Sequence, residues 1–273
     1  YNGEYNPWET ETSMPKISGE IFPDGDFYLT KEESAMIAQV KQHFSRIAVV
    51  LNIGGIIDTS WIKNDDQISS ALIAWQGGME GGLATAELLC GKISPSGKLP
   101  ATFAASVDDY PSPADFHESV DYVDYTEDIY VGYRYFETCG DAAKRVCYPF
   151  GFGLSYTSFE YSNLKIQEKA NGNVEVQATV KNVGSRAGDE VAQLYVTDMY
   201  ASVKTRVMEL KDFTRIHLQP GESKTVSFEM TPYDISLLND RMDRVVEKGE
   251  LKIMIGGISP DYVAKNEIKN SIG

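Results

Sequence analysis

Two acidic residues near the start of the 273-residue chain stand in loops led by glycine. Glu20 lies in KISGEIFPDGDFYLT (16 to 30) and Glu4 in YNGEYNPWE (1 to 9). Glu20 sits between a glycine and an apolar pair, on a loop rich in Gly, Pro and Asp, just ahead of a helix signal. Three chemistries are open to such a carboxylate: a proton donor, a metal ligand, or an ordinary solvated loop acid. A proton donor must stay protonated near neutral pH, so its pKa has to rise through burial or a neighbouring like charge. Asp24, Asp26, Glu9 and Glu11 can supply the repulsion, and Trp8 or Phe22 the apolar wall. The three histidines, His43, His117 and His217, are far apart without metal-ligand spacing and are read as structural. Glu80, in GGMEGG, is read as capping or orienting the helix behind it. Those glycines fit neither the GxGxxG nor the P-loop spacing of a phosphate cradle. Arg134, in VGYRYF and beside Glu127 and Asp128 in sequence, is read as an interdomain ion-pair partner.

The elements that must position these residues are legible in the pattern. Thr30 and Glu33 form a capping box, and Met36, Ile37, Val40 and Phe44 follow at helical spacing. IAVVLNI (47 to 53) and ALIAW (71 to 75) are apolar runs of the kind that make strands buried on both faces. GGMEGGLATAELLCG should hold a helix ending at Gly91. Helix, strand, strand and helix at these lengths predict an α/β layer with a mainly parallel sheet, incomplete at its N-terminus. Beyond about residue 160 the period changes to two, in NVEVQATV, VAQLYV, TVSFEM and LKIMI, separated by turns such as NVGSRAG and QPGES. That reads as an antiparallel β-sandwich of immunoglobulin or fibronectin type. The expected boundaries are 1–158 for the α/β domain, with a tyrosine-rich crossing segment from about 106, and 159–273 for the sandwich.

Composition narrows the partners. Hydrophobic content of 42% and charged content of 24% allow a sizeable core, and no apolar run reaches the roughly 20 residues of a membrane helix. The net charge is −15, from 25 basic and 40 acidic side chains, which repels nucleic acid and anionic lipid; neither partner is expected. The first 15 residues lack the basic and apolar regions of a signal peptide. Without an initiator Met, the chain is expected to be processed or a fragment. Cys139 and Cys147 are close enough in sequence to pair, free thiols being the alternative.

Five ordered stretches carry a family resemblance. WQGGMEGGLATAELLCGKISPSGKLPATF (75 to 103), YTEDIYVGYRYFET (125 to 138) and YPFGFGLSYTSFEY (148 to 161) resemble successive signatures of family 3 glycoside hydrolases. KNVGSRAGDEVAQLYV and ELKDFTRIHLQPGESKTVSFEM are similar to that family's fibronectin type III-like domain. The resemblance implies a retaining β-glucosidase or related exo-acting β-glycosidase, built from a (β/α)8 barrel, an α/β sandwich and the fibronectin-like domain. It implies β-linked glucosides or short oligosaccharides as substrates and no cofactor or metal. The barrel is not within these 273 residues, and neither is the Ser-Asp pair that carries the family's nucleophile.

In the family the acid/base Glu comes from a sandwich loop, commonly Ser-Gly-Glu-Gly-x-Asp ahead of a helix. Ser18-Gly19-Glu20 resembles that loop, although Ile21 replaces the second Gly and Lys16 stands where an Arg often occurs. Glu20 is therefore the first choice for acid/base and Glu4 the second, with Trp8 a candidate substrate contact. VVLNIGGIIDTSWI and CGKISPSGKL look closer to a bacterial subgroup in which these two domains precede the barrel. The implied protein is soluble, cytoplasmic or secreted, and open to homo-oligomerisation. A non-catalytic carbohydrate-binding or scaffold module is the alternative.

Overall fold

A computed structural model describes residues 26–112, 122, 124–138, 145–258 and 271–272. The described residues fall into two compact units that do not follow chain order. One draws on the described residues among 26–85, 103–127 and 145–147, the other on those among 86–102, 128–138 and 148–272.

In the first unit, helix α1 (Lys31–His43) begins at the predicted capping box. The Glu33 N–H donates to Thr30 Oγ1 (3.2 Å), and the Thr30 N–H donates back to Glu33 Oε2 (2.9 Å). Strand β1 (Ile47–Leu51) runs parallel to β2 (Ile68–Ile73), with Val49 opposite Ala71 and Leu51 opposite Ile73. The link between them contains a single-turn helix, α2 (Ser60–Lys63), too short to leave a periodic pattern in the sequence. Asp58 organises it, accepting from the Ser60 N–H at 2.7 Å while its carbonyl accepts from Trp61 Nε1 at 3.0 Å. Helix α3 (Gly81–Leu89) follows, and the chain reverses at Gly91 with φ +68°, where glycine was expected to end it. A short pair, β3 (Phe103–Ala104) with β4 (Val146–Tyr148), brings in the later segments.

One expectation is corrected here. IAVVL and ALI do not form strands buried on both faces: β1 alternates half-buried with exposed, and Val50 is 41% exposed. The described sheet has two strands, so one face lacks the cover that a parallel sheet requires. Cys147 is a free, buried thiol, so the pairing with Cys139 is not formed; Cys139 lies outside the described residues. Burial pushes the Cys147 thiol pKa up.

The second unit contains the expected β-sandwich together with segments from earlier in the chain. Strands β5 (Phe159–Glu168), β6 (Val174–Asn182) and β9 (Ser223–Met230) form one antiparallel sheet in the order β5-β6-β9. The other holds β7 (Gly188–Asp198), β8 (Glu209–Leu218), β12 (Leu251–Gly256) and β13 (Ser271–Ile272), ordered β13-β12-β7-β8. A small hairpin, β10 (Leu237–Leu238) with β11 (Arg244–Val245), lies between β9 and β12 in the chain. The period of two puts Val176, Ala178 and Val180 into the core against Leu194, Phe228 and Ile255. Each large aliphatic buried this way contributes about 1.5–3 kcal/mol. A second cluster gathers Tyr133, Tyr195, Met208 and Met254. Tyr133, from helix α4 (Tyr133–Thr138), stacks on Phe150 with centroids 4.4 Å apart and accepts from the Leu210 N–H at 2.8 Å.

Asn182 closes one end of the core and is fully buried. Its Oδ1 accepts from the Thr157 hydroxyl (2.6 Å) and the Gly184 N–H (3.0 Å); its Nδ2 donates to the carbonyls of Arg186 (2.7 Å) and Leu218 (3.0 Å). Replacing Asn182 with Ala strands four polar groups, so Asn182→Ala should destabilise this unit by roughly 3 kcal/mol in urea denaturation. A loss below about 1 kcal/mol would show that water replaces the amide without penalty.

Four phenols are held protonated by burial: Tyr110, whose pKa is pushed up to about 12, and Tyr133, Tyr161 and Tyr195. A raised folded-state value favours the neutral form, so their contribution is intact below the ordinary phenol pKa of about 10 and fades as pH climbs above it. Alkaline titration should show phenolate absorbance from these four appearing only with loss of structure. A smooth titration of all tyrosines near pH 10 in a folded chain would contradict this packing.

Candidate functional site

The chain that leaves the Glu20 loop is fixed as soon as it enters the described structure. Phe27 packs edge-on against Tyr28 (4.9 Å between centroids) and Tyr110 (6.2 Å), and its carbonyl accepts from the Asp58 N–H at 2.8 Å. The Tyr28 hydroxyl shares a hydrogen bond with Ser106 Oγ (3.1 Å) and accepts from the Val107 N–H (3.2 Å). Thr30 then caps α1. Two aromatics thus hold residues 27–28 against the 106–110 segment. Glu20, Glu4 and Trp8 lie outside the described residues, as do Phe22, Asp24, Glu9 and Glu11.

Open α/β sheets place ligands beyond the carboxyl ends of their strands. Here those ends lead into Asn52–Gly55 and Ala74–Glu80. The Ala74 N–H donates to the Leu51 carbonyl (2.8 Å), keeping the two loops side by side. A Cβ on Gly54 would come within 2.9 Å of Gln76 Nε2. Trp75 adopts φ +52°, a left-handed conformation uncommon for a bulky residue, with its ring 6.4 Å from that of Phe103. Such backbone strain tends to collect at functional loops. A Cβ on Gly77 would approach Gly81 Cα to 2.8 Å, and Gly78 has φ +63°. Glu80 is exposed, and its carbonyl accepts from the Ala84 N–H within α3 (2.9 Å).

An open depression at the opposite, amino end of β2 is lined by Lys41, Trp61, Asn64, Asp65 and Gln67. Its polar groups serve the fold. Lys41 pairs with Asp65 and lowers its carboxyl pKa, and Gln67 Nε2 donates to the carbonyls of Lys41 (3.1 Å) and Phe44 (3.2 Å). This is a turn that ties α1 to β2 rather than a binding site.

Arg134 does not pair with Glu127 or Asp128. Its Nε lies 3.5 Å from Glu209 Oε1, and Arg206 Nη1 and Lys211 Nζ each approach the same carboxylate to 2.9 Å. Burial pushes the Glu209 carboxyl up, but Lys211, Arg206 and Arg134 outweigh it and hold the pKa below the ordinary value. Arg134 is thus an ion-pair partner as expected, of an acid that β8 brings in from far along the chain. His217 is exposed, with Nδ1 2.5 Å from Asp189 Oδ1. Among the described residues no three His, Cys, Asp or Glu side chains converge as a metal site.

Residues 8–156 match the family described as Glycosyl hydrolase family 3 C-terminal domain, and residues 190–259 match the Fibronectin type III-like domain. The chain is 46% identical over 257 residues to Beta-glucosidase A of Butyrivibrio fibrisolvens, covering 87% of this chain and 31% of that protein. It is 34% identical to an Exo-alpha-(1->6)-L-arabinopyranosidase of Bifidobacterium longum, covering 90% of this chain and 32% of the relative. Among solved structures, beta-glucosidase 3B from Thermotoga neapolitana in complex with glucose superposes with a TM-score of 0.79 at 39% identity, over 86% of this chain and 33% of that one. The chain therefore spans about a third of the length of the proteins it matches.

The tyrosine anchor at the end of the Glu20 loop is directly testable. Tyr28→Phe removes the acceptor of the Val107 N–H and the partner of Ser106, and should cost about 1 kcal/mol in chemical denaturation. An unchanged midpoint would mean that the ring alone holds this end of the loop.

Proposed function

The chain belongs to glycosyl hydrolase family 3, and from that membership we propose that it is the non-barrel part of a retaining β-glucosidase. The observation that supports this most is the match in sequence order of both domains to proteins named beta-glucosidases, each about three times as long. In this reading the complete polypeptide removes terminal, non-reducing β-D-glucosyl residues by double displacement. Retention requires two carboxyl groups about 5–5.5 Å apart. An Asp of a (β/α)8 barrel, outside these 273 residues, attacks the anomeric carbon. A Glu of this chain protonates the leaving oxygen, then takes a proton from the water that releases the sugar. Glu20 is the first choice for that Glu, Glu4 the second, and Trp8 contacts the substrate.

The anchor at Phe27 and Tyr28 supports Glu20. A general acid has to be held within hydrogen-bond reach of the leaving oxygen. Phe27 and Tyr28 are among the described residues that follow the Glu20 motif in sequence, and their packing fixes where the chain enters α1. Burial against apolar side chains or repulsion from Asp24 would keep Glu20 protonated until it is needed. The sugar is a separate question. The Bifidobacterium longum relative, named an arabinopyranosidase, is compatible with a specificity set mainly by the barrel.

The test uses the complete polypeptide that carries this chain and nitrophenyl-β-glucoside hydrolysis. Glu20→Ala should reduce turnover roughly 10²–10⁴-fold, with azide restoring it as a small nucleophile that needs no general base. If Glu4→Ala shows that loss and Glu20→Ala does not, the role passes to Glu4. Full activity in both variants would remove the acid/base from this chain and leave the carbohydrate-binding or scaffold reading. The 273-residue chain alone should not turn over, because it lacks the proposed nucleophile.

A further inference from the structure

The hairpin between β9 and β12 presents exposed apolar side chains on a tightly held tip. Asn239 organises the turn: its Oδ1 accepts from the N–H groups of Arg241 (2.9 Å) and Asp243 (3.0 Å). Its own N–H donates to the Asp243 carbonyl (3.1 Å), and its carbonyl accepts from the Met242 N–H (2.8 Å). Met242 takes φ +64°, a conformation that Gly or Asn ordinarily fills, and is 73% exposed. Leu238 and Val246, on either side of the tip, are exposed as well. Tyr233 extends the patch; it is 66% exposed and stacks under the Arg244 guanidinium at 4.2 Å, with Arg244 Nη1 donating to Ser236 Oγ (3.0 Å). Met199 and Tyr200, both exposed, join it next to Val246. They are brought there by the Met199 N–H on the Glu250 carbonyl (3.0 Å) and the Ser202 N–H on Glu247 Oε2 (2.9 Å). An exposed apolar patch built from Met, Tyr and Arg has the composition of an interaction surface.

The charges at the tip decide the occupant. Arg241 Nε lies 3.4 Å from Asp243 Oδ2, and both side chains are well exposed. An ion pair is its own complement under a two-fold rotation, which turns each charge toward the opposite charge of a second copy. The sequence Asp240-Arg241-Met242-Asp243-Arg244 reverses sign about Met242, so Asp240 and Arg244 repeat the relation. A closed dimer needs such self-complementarity, because one surface serves both partners. We propose that the β10–β11 hairpin is where two copies of this chain associate, with Met242 near the two-fold axis and Arg241 of each copy against Asp243 of the other. The net charge of −15 does not oppose this at close range. The four tip charges cancel, and physiological salt screens the remainder beyond about 8 Å. A sugar fits the patch less well, since Arg244 already covers one face of Tyr233 and the neighbouring side chains are Met and Leu. The inference goes beyond the catalytic reading and does not depend on it.

Sedimentation of the complete polypeptide, with single charge reversals at the tip, tests this. The unsubstituted protein should show a concentration-dependent dimer. Arg241→Asp and Asp243→Arg should each raise the dimer dissociation constant by about tenfold or more, because each sets like charges together across the axis. Mixed in equal amounts, the two variants should restore the dimer, since the introduced carboxylate of one then faces the introduced guanidinium of the other. Met242→Asp puts two carboxylates near the axis and should dissociate the dimer without rescue by either variant. All three side chains are exposed, so these substitutions leave the core of the sandwich untouched. Three results overturn the proposal: a monomer at about 100 μM, a dimer that survives either reversal, or a mixture that stays monomeric. So does a protein that is monomeric throughout and loses retention on insoluble cellulose with Tyr233→Ala, which would assign the patch to a sugar. No arm reads turnover, so a failed hydrolysis test leaves the interface standing, and a failed sedimentation test leaves the catalytic reading standing.

Discussion

The second unit depends on a buried carboxylate. Glu190 on β7 is 5% exposed, and an unpaired charge there would cost several kcal/mol. Three distant parts of the sequence converge on it. Lys98 Nζ lies 3.3 Å from Oε2, the Tyr161 hydroxyl donates to Oε1 at 2.9 Å, and Gly257 leaves room that a Cβ, at 2.0 Å from Oε1, would fill. Lys98 also donates to the Gly153 carbonyl (3.3 Å), and a Cβ on Gly153 would strike the Gly97 carbonyl at 2.1 Å. Leu99 and the 151–152 turn exchange two backbone hydrogen bonds of 2.8 Å. The SPSGKLP and PFGFG stretches and the GDE that opens β7 are thus one assembly. Their joint appearance follows from the need to neutralise Glu190 beside backbone that only glycine permits. The lysine of SPSGKLP is committed to that carboxylate and to a carbonyl, so its motif is a structural lock.

Gln193, on the same strand and also buried, extends this logic. Its amide donates to the carbonyls of Gly257 (3.1 Å) and Gly151 (3.3 Å) while its oxygen accepts from the Tyr195 hydroxyl (2.6 Å). Buried polar groups that are fully partnered specify one arrangement, because every alternative packing strands several of them at once. With Asn182 at the other end of the core, the sandwich is defined as much by these side chains as by its apolar faces. Among the described residues of the first unit no comparable centre occurs, and Met36 is 57% and Phe44 61% exposed on or beside α1.

What the sequence disclosed divides along the same line. Period-two alternation placed β6, β9 and β12 and identified Val176, Phe228 and Ile255 as core, because a sandwich strand buries one face whatever its neighbours do. The capping box at Thr30 was legible because both its bonds are local. Glu209 as the partner of Arg134 was not, since an ion pair between helix α4 and strand β8 depends on topology and leaves no mark near Arg134. Trp75 could not be identified as strained, because φ is set by the turn and not by residue type. The apolar runs at 47–53 and 71–75 were correctly read as strands. Their expected burial failed for want of covering layers among the described residues. For the site, the loop of Glu20 was marked by its motif alone, and its anchor at Tyr28 emerged only from the fold.

The two units therefore differ in what their residues are for. In the sandwich, several glycines are explained by contacts inside the unit: Gly151 by Gln193, Gly184 by Thr157, Gly257 by Glu190, whereas a Cβ on Gly249 would meet nothing within 4 Å. In the α/β unit, a Cβ at Gly55, Gly81 or Gly82 would meet nothing within 4 Å, and Trp75 has φ +52°. A residue whose cost is not offset within its own fold has to be accounted for by something it meets outside.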